Sequence, residues 1–372
     1  MTRQELDRLL SYAVDKEASD IHLSAGLAPM LRIHGTLRRL DTAPIKKEAM
    51  EHLIAQILNE KQKKHFAQHQ ELDFAYAIPG VARFRTNIYC QLRGLAIAFR
   101  VIPDRVRTLE ELQCPAGLYT LARQNKGIVL VTGPTGSGKS TTLAAMLDLI
   151  NRERRDHILT IEDPIEYVHT PKNCLINQRE LGEHTQSFAN ALRAALREDP
   201  DVILVGEIRD LETISLALTA AETGHLVFAT LHTMSAAETV NRIVDVFPPE
   251  QQRQVRAMFA NAVMGIVAQR LLPRADGRGR VAVHEIMIAT NAIRNLIREE
   301  KSHQIHSVIQ TGAQYGMQTI DMALARLLRQ GIISREIAEA HAHDKRVVMS
   351  GGGGGVDKFK NFRAPRGCPE PA

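Results

Sequence analysis

The sequence predicts an α/β protein in which a small α+β unit precedes a mainly parallel sheet covered by helices on both faces. Three observations predict it. From Gly127 onward, short β-branched runs alternate with helical patterns, as in a sheet buried on both sides. Before Pro103 the strand candidates alternate in polarity or are joined by tight turns, with helices set between them. The segment GPTGSGKS, from Gly133 to Ser140, directly follows an apolar run and opens a helical one. At 372 residues and roughly 150 residues per domain, two or three domains are expected.

Residues 5 to 16 place Leu6, Leu9, Leu10 and Ala13 at helical spacing, and Ser19-Asp20 leads into an extended stretch, Ile21-His22-Leu23. Gly26 and Pro29 mark a turn, Met30 to Ile33 alternates as a strand, and Gly35 breaks it before Leu37, so a hairpin is expected. Helices follow at 47 to 60 and 61 to 69, then strands at 72 to 77, 81 to 90 and 94 to 102. In the middle strand Arg83, Arg85 and Asn87 alternate with Phe84, Thr86 and Ile88, which places the arginines on one face. The first domain is therefore expected over 1–103. Pro103 and Pro115 bracket a stretch with few periodic features, and 104–118 reads as a linker.

The second domain is expected over 119–348, with strands at 128 to 132, 158 to 162, 202 to 206 and 226 to 231. Its helices fall at 140 to 151, 187 to 198 and 211 to 223, the last closed by Gly224. Beyond residue 250 the pattern reads largely helical, with one further strand at 281 to 289. From Met349 the chain turns into five glycines, 351 to 355, and a Pro-containing basic tail, so 349–372 is expected to be disordered.

Composition narrows the function. The net charge is +5, and the last 24 residues carry four basic against two acidic groups, leaving +3 on the other 348. That balance and the absence of Trp argue against nucleic acid as a partner. Cys90, Cys114, Cys174 and Cys368 include no C-x-x-C pair, so neither a zinc ribbon nor a disulfide framework is supported, and a reducing compartment fits. No stretch approaches the roughly 20 apolar residues of a membrane span, and the N-terminus has no apolar signal core. A cytoplasmic protein without a transmembrane segment is expected.

GPTGSGKS fits G-x-x-x-x-G-K-[ST] in the strand-to-helix setting that its mechanism needs. Gly133, Thr135, Gly136, Ser137 and Gly138 would turn backbone N–H groups around the phosphates of ATP at a helix N-terminus. Lys139 would reach the β and γ phosphates, Ser140 would ligate Mg²⁺, and Thr141 would help hold the α phosphate. Such a site also needs carboxylates at neighbouring strand ends. Two places supply them: Glu162, Asp163 and Glu166 in IEDPIE, and Glu207 after VILVG. The alternative reading of each carboxylate, as a solvated strand-end residue, carries less weight. His225 and His232 bracket LVFATL, a spacing that suits opposite ends of a strand and not a shared metal. Arg83, Arg85 and Arg100 read either as solvated strand residues or as groups that neutralise phosphate charge.

Taken together, GPTGSGKSTTLAAM, ILTIEDPIEYVH, REDPDVILVGEIRD and ETGHLVFATLHT resemble the Walker A, Asp box, Walker B and His box of the type II/IV secretion ATPase superfamily. The resemblance covers roughly residues 1 to 347, and ASDIHLSAG with AIRNLIRE (292 to 299) looks like its branch of type IV pilus retraction motors, which drive twitching motility. It implies a homohexameric ring of subunits, each with a PAS-like N-terminal domain and a RecA-like P-loop ATPase domain. It further implies that Glu166 activates water, Glu207 serves Mg²⁺, His225 and His232 contact the nucleotide side, and Arg85 and Arg100 are arginine fingers. The implied partners are an inner-membrane pilus platform protein, at whose cytoplasmic face the ring would work, and an accessory retraction ATPase. That accessory paralogue is the alternative identity. A RecA-like nucleic-acid translocase is the alternative from another class.

Overall fold

The computed structural model describes residues 1–349 apart from 34, 103, 104 and 278. The first part runs α1 (Arg3–Asp15), β1 (Ala18–Ser24), β2 (Met30–Ile33), β3 (Thr36–Arg39), α2 (Lys47–Ile57), α3 (Glu60–His69), β4 (Glu71–Ile78), β5 (Ala82–Gln91) and β6 (Gly94–Ile102). Thr2 starts α1 with a capping box, its hydroxyl accepting from Glu5 N while the Glu5 carboxylate accepts from Thr2 N. Asn59 and Gln62 do the same for α3, which Gln70 ends in the left-handed region at φ 60°. The strands form one antiparallel sheet in the order β3-β2-β1-β6-β5-β4. One face is apolar and packs Ile21, Leu23, Phe84, Ile88 and Phe99 against Leu6, Leu10, Leu53 and Ile54 of the helices. Alternation then leaves Arg83 and Arg85 on the opposite face.

After the stretch 105–115 the second part runs α4 (Ala116–Ala122), β7 (Gly127–Thr132), α5 (Lys139–Glu153), β8 (His157–Glu162), β9 (Leu175–Glu180), α6 (Phe188–Ala195), β10 (Val202–Val205), α7 (Leu211–Glu222) and β11 (Leu226–Leu231). It continues with α8 (Ala236–Asp245), α9 (Pro249–Ala262), β12 (Val263–Pro273), β13 (Arg280–Ile288), α10 (Asn291–Arg298), α11 (Ile305–Thr311), α12 (Ile320–Arg329), α13 (Arg335–His341) and α14 (Lys345–Met349). The sheet order is β13-β12-β7-β11-β10-β8-β9, parallel except where β13 returns antiparallel on β12. Successive strand residues feed opposite cores. Val129, Val131, Leu204 and Phe228 pack with α4 and α5, whereas Leu130, Ile161, Ile203 and Val227 pack with α6 to α9. This two-sided burial is why the strands read as unbroken apolar runs. Leu109, within the expected linker, is fully buried in the core that α4 and α5 share.

The structure departs from the sequence reading at two strands. Residues 263–273, read as helical, form β12, and 175–180 form β9. β12 leaves α9 directly at Val263 with no intervening loop, and Gly265 lies inside the strand, so local pattern continues the helix. β9, LINQRE, is a polar edge strand with little apolar content to signal it. The Gly-rich tail lies outside the described residues from Ser350 on, as do Pro103 and Asp104 at the start of the expected linker. Among the described residues no helix is long and apolar enough to cross a membrane.

Candidate active site

Residues 133–138 join β7 to α5, and the backbone there turns where glycine turns at least cost. Gly133, Gly136 and Gly138 have φ of +139°, +77° and +86°. A Cβ on Gly133 would lie 2.2 Å from the Gln269 carbonyl oxygen, so the loop closes down onto β12. Gln269, buried on that strand, braces it: Nε2 donates to Ser137 O at 2.6 Å and Oε1 accepts from Thr142 Oγ1 at 2.7 Å. Thr135 and Gly136 are exposed at the loop tip, while Lys139, Ser140 and Thr141 are half-buried at the start of α5. The Thr141 and Tyr167 hydroxyls share a 2.8 Å hydrogen bond.

Lys139 Nζ donates back to Gly133 O at 2.8 Å and Pro134 O at 3.2 Å. Burial holds its pKa below the ordinary lysine value, against the opposing fields of Glu207 and Glu166. The Ser137 hydroxyl is buried without a hydrogen-bond partner among the described residues. A glycine cradle, a lysine resting on carbonyls that it can exchange for phosphate oxygens, and that unsatisfied hydroxyl fit the phosphates of a nucleotide.

Beside the cradle, Ser140, Glu162, Tyr167, His169, Gly206 and Thr230 line a pocket at the carboxyl edge of the sheet. Burial pushes the Glu162 carboxyl up to about 7, although Thr160, Gln178 and the Glu166 N–H all donate to it. Burial also pushes the His169 ring down to about 4. Glu207, just after β10, is gripped by Arg209 Nε and Nη2 at 2.5 and 2.7 Å and by His232 Nε2 at 2.9 Å. Its burial favours the neutral acid, but Arg209 and His232 outweigh that and hold its pKa below the ordinary value. Glu207 is therefore an ionised oxygen donor whose field reaches Lys139, next to Ser140 in the chain, and a carboxylate with a hydroxyl suits a hard divalent cation such as Mg²⁺.

The loop after β8 carries Asp163 and Glu166, both exposed. β9 pins it on each side of Glu166. Glu180 Oε2 accepts from Ile165 N at 3.1 Å, Gln178 Nε2 donates to Tyr167 O at 2.8 Å, and Gln178 Oε1 accepts from His169 N at 2.8 Å. Gln178, Glu180 and Gln269 were invisible as functional candidates in the sequence, because each depends on a strand that local pattern missed. The one available signal was a glutamine interrupting the apolar run VMGIVAQRLL.

The structure thus gathers the glycine loop, Lys139, Ser140, Thr141, Glu162, Glu166, Glu207 and His232. It does not gather His225. That residue immediately precedes β11 and His232 immediately follows it, seven residues later, which at about 3.3 Å per residue is roughly 23 Å away. The His225 ring instead bonds Ala220 O, in the last turn of α7, at 2.9 Å. Arg85 and Arg100 are direct cross-strand partners on β5 and β6. They pair with Asp73 at 3.9 Å and Asp20 at 2.8 Å and stay within their own sheet. AIRNLIRE forms most of α10, but its Ile293 and Ile297 are fully buried in the core, and Arg294 donates to Asn261 O at 2.6 Å.

A strand, a phosphate cradle and a helix, with carboxylates at the adjoining strand ends, define a P-loop nucleotide hydrolase. Residues 2–340 match the family model for Type II/IV secretion system protein, and the chain belongs to that family. It is 55% identical over 338 residues to the Pseudomonas aeruginosa protein named "Type IV pilus retractation ATPase PilT", which covers 91% of this chain and 98% of that one. It is 39% identical over 348 residues to "Type IV pilus ATPase PilU" of the same organism, covering 93% and 91%. A crystal structure of "the Pilus Retraction Motor PilT and Bound ADP" matches with a TM-score of 0.86 at 46% identity, covering 93% of this chain and 98% of that one. The α/β fold with an N-terminal unit before a RecA-like domain is the one expected, and the chain is an ATPase.

Proposed function

We propose that this ATPase is the motor of type IV pilus retraction, working as a homohexameric ring on the cytoplasmic side of the inner membrane against a pilus platform protein. The observation that carries the reading is the complete phosphate site on a chain 55% identical to PilT along nearly its whole length, against 39% for PilU. In it Gly133, Gly136 and Gly138 let backbone N–H groups face the phosphates, Lys139 exchanges its loop carbonyls for β and γ oxygens, and Thr141 faces the α phosphate. Ser140 and Glu207 would hold Mg²⁺, with Glu162 and Asp163 beside them; the ion, when bound, neutralises phosphate charge. Glu166, exposed on a pinned loop, orients the attacking water and takes its proton. His232 keeps Glu207 ionised and aimed. Arg85 and Arg100, on the sheet face that also carries Arg83, would stabilise charge that develops in the transition state.

Glu166→Gln tests the reading. The amide keeps the shape and removes the basic oxygen, so ATP should bind with near-native affinity and persist unhydrolysed, and the variant should fail to restore twitching to a strain lacking its own retraction ATPase. Loss of nucleotide binding would make Glu166 a binding or structural residue. Restoration of twitching by the variant would remove Glu166 from the chemistry, and failure of the unsubstituted chain to restore it would refute the motor assignment.

A further inference from the structure

Arg83 has no part in the proposed chemistry, yet its placement is unusual. Nη2 lies 3.3 Å from Glu180 Oε2, and among the described residues this is the one ion pair joining the six-stranded sheet to the seven-stranded sheet. Glu180 is nearly buried, and Arg83 Nε is itself buried without a partner. The same Oε2 atom accepts the N–H of Ile165 at 3.1 Å, one residue before Glu166. Glu180 also stands directly beside Glu162 in the β8–β9 ladder. A single carboxylate oxygen therefore joins an arginine of the first domain to the backbone that aims the water-activating glutamate.

We propose that Glu180 is a positioning residue through which the orientation of the N-terminal domain sets the placement of Glu166. With Arg83 seated, the Glu180 carboxylate has its countercharge and holds Ile165 N–H in place. In a domain orientation that withdraws Arg83, the buried carboxylate loses its partner, and its hydrogen bond to the loop is the one that must readjust. Hydrolysis would then be competent in one domain orientation and impaired in the other, which links the chemistry to the movement within a subunit. The inference rests on the assignment of Glu166 given above.

The test uses the full chain and measures kcat, KM, nucleotide affinity and melting temperature. Arg83→Ala and Glu180→Gln should each lower kcat roughly tenfold, the scale of one charge-assisted contact in the transition state, with KM and affinity little changed. The double variant should be no slower than either single, because both remove the same link. Glu180→Ala should be slower still, since it also strips the acceptor from Ile165 N–H, and Arg83→Lys should recover part of the rate. Multiplicative losses in the double variant would mean that Arg83 acts on phosphate directly and would overturn the proposal, as would an unchanged kcat in Arg83→Ala. Glu166→Gln run alongside separates the two ideas: if it is inert while Arg83→Ala is fully active, only the link fails, and if it hydrolyses normally, the Glu166 assignment fails first.

Discussion

The two sheets carry their chemically important residues in opposite ways. On the antiparallel sheet Arg85 and Arg100 stand exposed, each facing one carboxylate of its own domain. On the parallel sheet the corresponding groups sit at strand ends and are braced by buried or half-buried side chains, Gln269 beneath the phosphate loop and Gln178 and Glu180 beside Glu166. The energies differ accordingly. An exposed ion pair contributes about 0–1 kcal/mol, so the arginines can exchange Asp73 and Asp20 for another anion at little cost. Stranding a buried partner costs about 1–3 kcal/mol, so the carboxyl edge of the ATPase sheet keeps its geometry. The comparison teaches a division of labour in which one domain stores the geometry of catalysis and the other delivers movable charge.

Removing the stored geometry's main phosphate ligand should have the largest effect. Lys139→Ala is expected to lower ATP turnover on the order of 10²–10³-fold, as for loss of one preorganised electrostatic group, with the melting temperature nearly unchanged because Lys139 Nζ bonds the loop's own carbonyls, of Gly133 and Pro134. Normal turnover would place the site elsewhere. The movable charges come next. Under the proposed role, Arg85→Ala and Arg100→Ala should each lower kcat roughly tenfold or more while nucleotide affinity shifts less, the mark of groups that meet charge developing in the transition state. Equal losses in affinity and rate would make them ordinary binding groups and erase the distinction between the sheets.

The smallest effect sharpens the braced side. Glu162 has a pKa of about 7, above the ordinary carboxylate 4.5, so the folded state favours its protonated form. The stability it lends is complete below about 4.5 and is lost as pH rises through about 7. Glu162→Gln stays neutral throughout. Its melting temperature relative to the unsubstituted chain should therefore be higher at pH 8 than at pH 5.5, and a difference that does not move with pH would show that Glu162 is not titrating in this range.

Much of this architecture was legible in the chain itself. The apolar runs that became β7, β8, β10 and β11 could be read because strands buried on both faces need no alternation, and the phosphate loop could be read because its chemistry demands glycines, a lysine and a hydroxyl in consecutive order. The pairing of Arg85 with Arg100 was also accessible, since a hairpin turning at Gly94 fixes the register locally. What supports the site was not. Gln269 lies 132 residues from the Ser137 carbonyl that it holds and 127 from Thr142, and Arg83 lies 97 from Glu180. His225 shows the converse, a residue with a familiar neighbourhood in sequence that the length of one strand carries to the far edge of the sheet. The sequence determined which elements form and which residues bear the chemistry, because those depend on period and on residue type within a short window. Only the tertiary structure decided which side chains brace them, because a buried hydrogen bond between distant strands leaves no periodic trace in either one.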